Sequence, residues 1–487
     1  MLRLDEVRLT ARGRFRIISK DIMYIYSLKS AGAWRLGISL LFTLASRTIY
    51  AANERLESCQ LHPKLEGRII KDVSVWGSKG ITEDLVLTIS KHCENAERIT
   101  RHNCNCHPQR ILIENGTVYL NNLIPNHRLG PHEHIGLLVE LYEASQVYKL
   151  PDVEFAYWID DHPPAETVIS QDGRTSWPYE PKGSLPPMVA WSKSDDNGVL
   201  LVPYSGAFRC ASDSFDALES QLHMLQSIPW ESRKSMAFGR WNGFCTYYYG
   251  GLVRTADGRA VPCPRLYLNN VSEAHPDLLE AYDLGRARHV PLAHQNAYKY
   301  IVSTDGWSIS SKFDKYLLLG SLVLKAASIR TGFYYDALEP YVHFVPFMEK
   351  HKDDIVEAIQ WARENDDEAR NIARRGVEFA RVHLTRPARL CYLFQLLKHL
   401  SKQYRYPVSC QRRKLCVPLV EELKYMSRFE KTAESCNYKE LLEKYATDDS
   451  AAAPGESMFE ELYSQHEDPL HWPRDDLFVE GLTRGQK

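Results

Sequence analysis

A chain of 487 residues is longer than one ordinary core needs and accommodates two domains with tails. Apolar and charged fractions of 44% and 25% are those of a soluble globular protein and exclude a disordered or largely membrane-embedded chain. A formal net charge of −2 excludes a nucleic-acid binder that works by bulk electrostatics, while leaving room for a local basic cluster suited to a small phosphate-bearing ligand.

In chain order, Leu36 to Ser46 is a short apolar run with Lys20, Lys29 and Arg35 before it and Ala51-Ala52 after it. That is the arrangement of a signal peptide or signal anchor, displaced from the start, and it marks 32–53 as a candidate membrane anchor. Arg35 and Arg47 bracket fewer apolar residues than the roughly 20 of a comfortable span, so an amphipathic helix is the competing reading. Asn115-Gly116-Thr117 and Asn270-Val271-Ser272 are glycosylation acceptors. Cys93, Cys104 and Cys106, among eleven cysteines, suit disulfides in an oxidising lumen or, with His102 and His107, a metal site in cytosol. No second ligand pair at zinc spacing accompanies them, which favours disulfides.

Residues 110–120 read as a hairpin around Asn115-Gly116, and His134 to Leu150 as an amphipathic helix. Residues 153–159 (VEFAYWI) are a continuous apolar run that predicts a buried parallel strand ending at Asp160-Asp161. Further strands are expected at 188–191, 235–241, 299–303, 321–325 and 342–347, with a loop at 304–311 and a helix at 312–320. Residues 352–384 read as one or two long helices with a break at Gly376. Beyond about 405 charge and proline rise and periodicity fades, which predicts a partly disordered extension. Strand and helix alternate, so the fold class is α/β with two domains.

Three constellations carry chemistry. In TDGWSISSKFDKYLLLG, Ser308, Ser310 and Ser311 supply hydroxyls and Lys312 a positive charge at a helix start, a combination suited to a diphosphate; serines that only cap the helix are the plainer alternative. Trp307 offers a stacking face. Arg240 offers a planar fork for phosphate, though a surface arginine is the commoner case. Asp160-Asp161-His162 is a candidate base, metal site or strand-end cap; no Asp-x-Asp triplet occurs, which favours a metal-free mechanism.

LPDVEFAYWIDDHP (150–163) resembles the segment of protein O-glucosyltransferases that ends in an Asp before an aromatic and a proline, a family shared with the capsule-associated xylosyltransferases of fungi. YKYIVSTDGWSISSKFDKYLLLGSLVL resembles their donor-binding stretch, and YDALEPYVHFVPF, ENDDEARNIARRGVEFARVHL, SMAFGRW and the Cys104/Cys106 cluster match in turn, so the resemblance runs from about 92 to 404. It implies a GT-B architecture of two Rossmann-like domains facing across a cleft and an inverting, metal-independent transfer of glucose or xylose. The donor substrate would be UDP-glucose or UDP-xylose, with no other cofactor; the acceptor would be a hydroxyl of a glycoprotein or polysaccharide in the ER or Golgi lumen. On that basis 1–58 is a targeting region, 59–210 the acceptor domain, 211–384 the UDP-sugar domain, 385–404 a returning helix and 405–487 an extension.

By the same resemblance Asp161 is the catalytic base. Arg240 and Lys312 hold the diphosphate, and Ser235, Trp307, Ser308, Ile309, Ser310 and Ser311 contact the donor. Lys312 stands where the animal enzymes carry arginine, and Asp160 likewise. The resemblance further implies bridges Cys93–Cys106 and Cys104–Cys391. A non-catalytic lumenal binding protein derived from the same fold is the alternative from another class.

Overall fold

Most of the apolar runs become strands of two larger sheets in a computed structural model, which describes residues 6–9, 14–18, 23–27, 55–89, 109–122, 132–158, 161, 185–195, 197–204, 214–243, 263–306, 308–427 and 439–445. Met1–Leu56 is a unit of its own, with Glu6–Leu9 (β1), Arg14–Ile18 (β2) and Met23–Ser27 (β3) in an antiparallel sheet of that order. Leu36–Ser46 lies outside the described residues. Among those described, no helix is long and apolar enough to cross a membrane.

From Glu57 onward the chain is one unit. Pro63–Val73 (α1) begins where His62 accepts the Lys64 amide at 3.2 Å and proline fills a first-turn slot that needs no N–H. Thr82 caps Glu83–Leu87 (α2) through the Leu85 amide. Gln109–Glu114 (β4) and Thr117–Leu120 (β5) form the expected hairpin; Asn115 and Gly116 both have positive φ, 53° and 74°, as a type I′ turn requires. His132–Val147 (α3) departs from the amphipathic expectation. From Ile135 on it is buried on nearly every face, because it lies against β5 and the helices Arg386–Ser401 and Leu419–Met426.

Val153–Tyr157 (β6) is parallel on one edge only, to Met188–Ala190 (β7); its other edge runs antiparallel to β4. Lys193–Ser194 (β8) follows, and Leu200–Leu201 (β9) closes that edge of the first sheet. After the short helices Phe215–Ser220 (α4) and Leu222–Leu225 (α5) comes the second sheet. It contains Lys234–Trp241 (β10), then Pro264–Ala274 (α6), Leu279–Asp283 (β11), Tyr298–Ser303 (β12), Phe313–Leu318 (α7) and Leu322–Ala326 (β13). Arg330–Thr331 (β14) leaves the sheet to pair antiparallel with β8, and Val345–Phe347 (β15) completes it. All its strands are parallel, in the order β11-β10-β12-β13-β15.

Alternation in these strands buries both faces. Phe238, Ile301 and Val323 join Phe155 and Val189 of the first sheet in one hydrophobic cluster. Ala237, Tyr300 and Leu324 face the other way, against Asp354–Glu364 (α8) and Asp366–His383 (α9). The helix break falls at Asn365, not at Gly376. Gly376 lies inside α9, where a Cβ would sit 3.1 Å from the His343 carbonyl and 3.2 Å from Leu317, so it serves close packing.

Arg386–Ser401 (α10) returns to the first sheet. Its Arg389, 1% exposed, donates to Glu140 Oε1 at 2.6 Å, Asp216 Oδ1 at 3.0 Å and the Leu384 carbonyl at 2.8 Å. Cys391 is bonded to Cys59, which corrects the expected Cys104–Cys391 bridge: α1 packs on α10, so the segment entering α1 runs beside Cys391, and Gln395 Nε2 donates to the Cys59 carbonyl at 2.6 Å. Cys93, Cys104 and Cys106 lie outside the described residues. The stretch past 404 is built into the fold through 427 and again around Leu441, which is buried in the same core. Val417–Pro418 (β16) extends the first sheet beyond β5, giving the order β16-β5-β4-β6-β7-β9, and Leu419–Met426 (α11) covers α3. Cys410–Cys416 closes its loop, and Arg413 Nε donates to the buried Glu154 carboxylate at 2.7 Å. Lys439–Lys444 (α12) is the last described helix.

Two expectations follow. Non-reducing peptide mapping should recover Cys59 with Cys391 and Cys410 with Cys416; Cys391 joined to Cys104 would contradict the fold. Around Phe379 the rings of His343 and His383 lie 5.1 and 5.0 Å away, with His62 4.9 Å from His383. Burial holds both His343 and His383 below the ordinary histidine value of 6.5, helped at His343 by the Arg375 and Lys64 cations. A depressed histidine contributes stability that is whole above its unfolded value and is lost as pH falls through the window below 6.5. Glu140, lifted by burial to about 7, works in the opposite direction, so the observable is a difference. In thermal melts between pH 7 and 5, a His343→Gln, His383→Gln double variant should lose less stability on acidification than the native chain.

Candidate functional site

The strand order of the second sheet locates a site before any residue is considered. Numbered along the chain it is 2-1-3-4-5, so the winding reverses between β10 and β12, and ligands of open α/β sheets bind outside the strand carboxyl ends at that reversal. Arg240 is the penultimate residue of β10, and Thr304, Asp305 and Gly306 follow β12 directly. Ser235 belongs to the opposite, amino end of β10, five residues and roughly 16 Å away. It is exposed, with its carbonyl accepting from Arg363 at 2.9 and 2.7 Å, so the fold does not bring it to the other candidates.

Arg265, in the first turn of α6, was not singled out by the sequence. Its guanidinium spans the reversal point, donating to the Asn242 carbonyl at 3.1 Å, the Thr304 carbonyl at 3.0 Å and Thr304 Oγ1 at 3.2 Å. A Cβ on Gly306 would come within 2.9 Å of it, so the glycine is there to admit the arginine. One signal was available: a cation in a helix's first turn opposes the helix dipole and needs another reason to be there.

The 304–312 loop is organised from within by Asp305, which is 1% exposed. Its Oδ1 accepts the Ser310 amide at 2.8 Å and the Tyr335 hydroxyl at 3.2 Å, and its Oδ2 accepts Lys325 Nζ at 2.8 Å. Lys325 also lies over the Phe313 and Tyr335 rings, at 5.6 and 5.4 Å. Ser310 Oγ in turn accepts the Lys312 amide at 3.3 Å, and Ile309 donates its amide to Ser192 Oγ at 3.3 Å. These donors are engaged inside the protein, and α7, with six residues, is too short to focus an anion. What remains for a phosphate is side-chain charge.

Of the expected cations, Lys312 is partly exposed and donates from Nζ to the Arg240 carbonyl at 3.0 Å, on the carboxyl end of β10. Arg240 itself points elsewhere. It is 6% exposed, stacked on Phe238 at 4.4 Å, and its fork is held by Glu280 Oε1 at 2.5 Å, the Gly239 and Glu280 carbonyls at 2.8 and 2.9 Å and the Arg288 carbonyl at 3.3 Å. Tyr298 donates to the other Glu280 oxygen at 2.7 Å. Nothing in a single sequence pairs position 240 with position 280.

Asp161 stands beyond β6, and the loop after β12 reaches it. Ser308 Oγ donates to Asp161 Oδ1 at 2.5 Å, and the Trp191 indole N–H donates to Ser308 Oγ at 3.4 Å. The two sheets therefore meet by their carboxyl ends: Asp161 after β6, Trp191 and Ser192 after β7, Ser308 and Ile309 after β12. Trp307, Asp160 and His162 lie outside the described residues, and Ser311 is partly exposed beside Lys312.

A family model for glycosyl transferase family 90 matches residues 57–435. The chain belongs to that family. The match begins well before residue 92 and ends beyond 404, in keeping with β16 and α11 being part of the fold. Among curated relatives, mouse protein O-glucosyltransferase 3 is 28% identical over 324 residues, 62% of this chain and 59% of that protein. Zebrafish (Danio rerio) protein O-glucosyltransferase 2 is 26% identical over 330 residues, 63% and 58%. Rat protein O-glucosyltransferase 1 is 26% identical over 421 residues, 74% and 96%. The chain thus spans less than two thirds of the length of the first two. A glycosyltransferase structure from Rickettsia africae matches at a TM-score of 0.27 and 10% identity, over 44% of this chain and 64% of that one, too loosely to bear on fold or ligand.

In this family 90 chain Asp305→Asn removes the countercharge of a buried lysine. Breaking one side of such a pair costs about 3–5 kcal/mol. Denaturant titration of the variant should show a loss on that scale.

Proposed function

We propose that the chain is an inverting glycosyltransferase that moves glucose or xylose from a UDP-sugar to a hydroxyl of a protein serine or glycan, with Asp161 as general base. The proposed architecture is GT-B, two Rossmann-like halves, the donor bound at the carboxyl end of the parallel sheet. The observation that carries this reading is the Ser308–Asp161 hydrogen bond, since it joins the candidate base to the candidate donor loop across 147 positions of sequence.

In this reading the acceptor hydroxyl gives its proton to Asp161 as its oxygen attacks the anomeric carbon from the face opposite the nucleotide. The anomeric carbon–oxygen bond breaks, and its electron pair leaves with UDP. Arg265 and Lys312 receive that charge as fixed cations beside the ends of β10 and β12. Arg240 is reassigned from phosphate ligand to a buried staple between β10 and β11, because its fork already closes on Glu280. The transfer needs no metal in this scheme, a view supported by the missing Asp-x-Asp triplet and by the two cations placed beside the reversal point. The disulfides Cys59–Cys391 and Cys410–Cys416 support a site of action in the oxidising secretory pathway.

A panel of UDP-sugars, read as UDP release with and without a chelator, tests donor and metal dependence together; UDP-glucose or UDP-xylose should be cleaved and the chelator should have no effect. Asp161→Asn should retain UDP binding in calorimetry and lose turnover. Arg265→Ala and Lys312→Ala should each weaken UDP binding about tenfold or more, the scale of a hydrogen bond to a charged group. Unchanged UDP affinity in Arg265→Ala would return the phosphate role to Arg240.

A further inference from the structure

We infer that Ser308, oriented by the Trp191 indole, is the positioning residue for Asp161 and not a donor ligand, an inference that rests on Asp161 being the proposed base. Three side chains stand in a line whose hydrogen-bond polarity is fixed by chemistry. An indole N–H can only donate, and an ionised carboxylate can only accept. The serine hydroxyl between them accepts from Trp191 at 3.4 Å and has its single proton left for Asp161 Oδ1 at 2.5 Å. Reversed polarity would leave the indole N–H facing another proton. The hydroxyl is thus a preset donor to one carboxylate oxygen, and it fixes the plane of the carboxylate.

The supports of this line are rigid. Trp191 is 2% exposed, with Tyr157 at 6.0 Å and Tyr204 at 5.6 Å edge-on to its rings. Ser308 is 5% exposed, and its loop is tied on either side of it, by the Gly306 amide donating to the Ser308 carbonyl at 2.9 Å and by the Ile309 amide on Ser192 Oγ. Asp161 is reached by the loop that follows β12 of the other sheet. A base must be aimed at a hydroxyl to within a fraction of an ångström, and a misplacement of about 1 Å costs on the order of 100-fold in rate. Ser308 couples that aim to the loop that carries Lys312.

The test uses the full chain with UDP-glucose and UDP-xylose, following UDP release, and UDP alone for calorimetry. Ser308→Ala should lower turnover about tenfold or more, as expected for a hydrogen bond to a charged group, and leave UDP affinity and the melting temperature unchanged. Ser308→Thr, which keeps the hydroxyl, should restore most of the rate. Trp191→Phe keeps the ring and removes the N–H, so it should fall between Ser308→Ala and the native chain; it carries the test should the serine variants fail to fold. Native turnover in Ser308→Ala, or a loss of UDP affinity equal to its loss of turnover, overturns the inference. Asp161→Asn run alongside separates the two levels. If it is inactive while Ser308→Ala is fully active, only the positioning role falls. If it turns over normally, the base reading falls and the positioning role with it.

Discussion

The buried carboxylate of Asp305 holds in place everything that makes the carboxyl end of the second sheet usable. It takes an amide from Ser310, a hydroxyl from Tyr335 and the ammonium of Lys325, so one side chain ties a loop to the strand before it, the strand after it and the turn beyond. A buried charge is costly unless paired and hydrogen-bonded, and this one has both. The consequence is a fixed path for residues 304–312, and Ser308 and Lys312 are set by that path. The same carboxylate takes up the Ser310 amide, one of the loop's own donors.

The second constraint is that the two sheets approach by their carboxyl ends and share apolar packing, so positions far apart in sequence become neighbours. β8 pairs with β14, and Arg68 of α1 reaches both Asp195 and Asp336, at 3.1 and 3.0 Å. The returning helix α10 adds Arg389 between Glu140 and Asp216, and the Cys59–Cys391 bridge anchors it to the start of the unit. Closing so long a loop limits the unfolded chain more than a short bridge would. Together these contacts keep the Ser308–Asp161 distance a property of the fold and not of one flexible loop.

What could be read from the sequence was what depends on local pattern. Apolar runs of four to eight residues gave the strands at 153–157, 188–190, 298–303, 322–326 and 345–347, and Asn115-Gly116 gave the hairpin turn. Errors arose where tertiary packing overrides local signals. Gly376 looks like a helix break until the His343 carbonyl is seen pressed against it, and α3 looks amphipathic until helices are found on its outer side. The partner of Cys391 was misplaced because it depends on α1 lying on α10. At the candidate site, Asp161, Ser308 and Lys312 were singled out by motif and resemblance, whereas Arg265, Glu280, Lys325 and Trp191 were not. Each of these four acts through a partner from 20 to 117 positions away, and no spacing rule encodes that.

Arg240 and Arg265 show how burial sorts two similar residues into different roles. Arg240 is enclosed by Glu280, three carbonyls and the face of Phe238, and drawing its fork out to a ligand would leave the Glu280 carboxylate with Tyr298 alone. Stranding one member of a buried pair costs several kcal/mol, which a phosphate contact must exceed before it contributes any affinity. Arg265 is only partly buried, and its guanidinium touches the Asn242 carbonyl and the Thr304 carbonyl and hydroxyl, neutral groups that a doubly charged diphosphate can outbid. Lys312 is likewise only partly buried, and its ammonium donates to the Arg240 carbonyl, another neutral group. The cations suited to an incoming anion are therefore the less buried ones, Arg265 and Lys312, beside the point where the sheet reverses its winding.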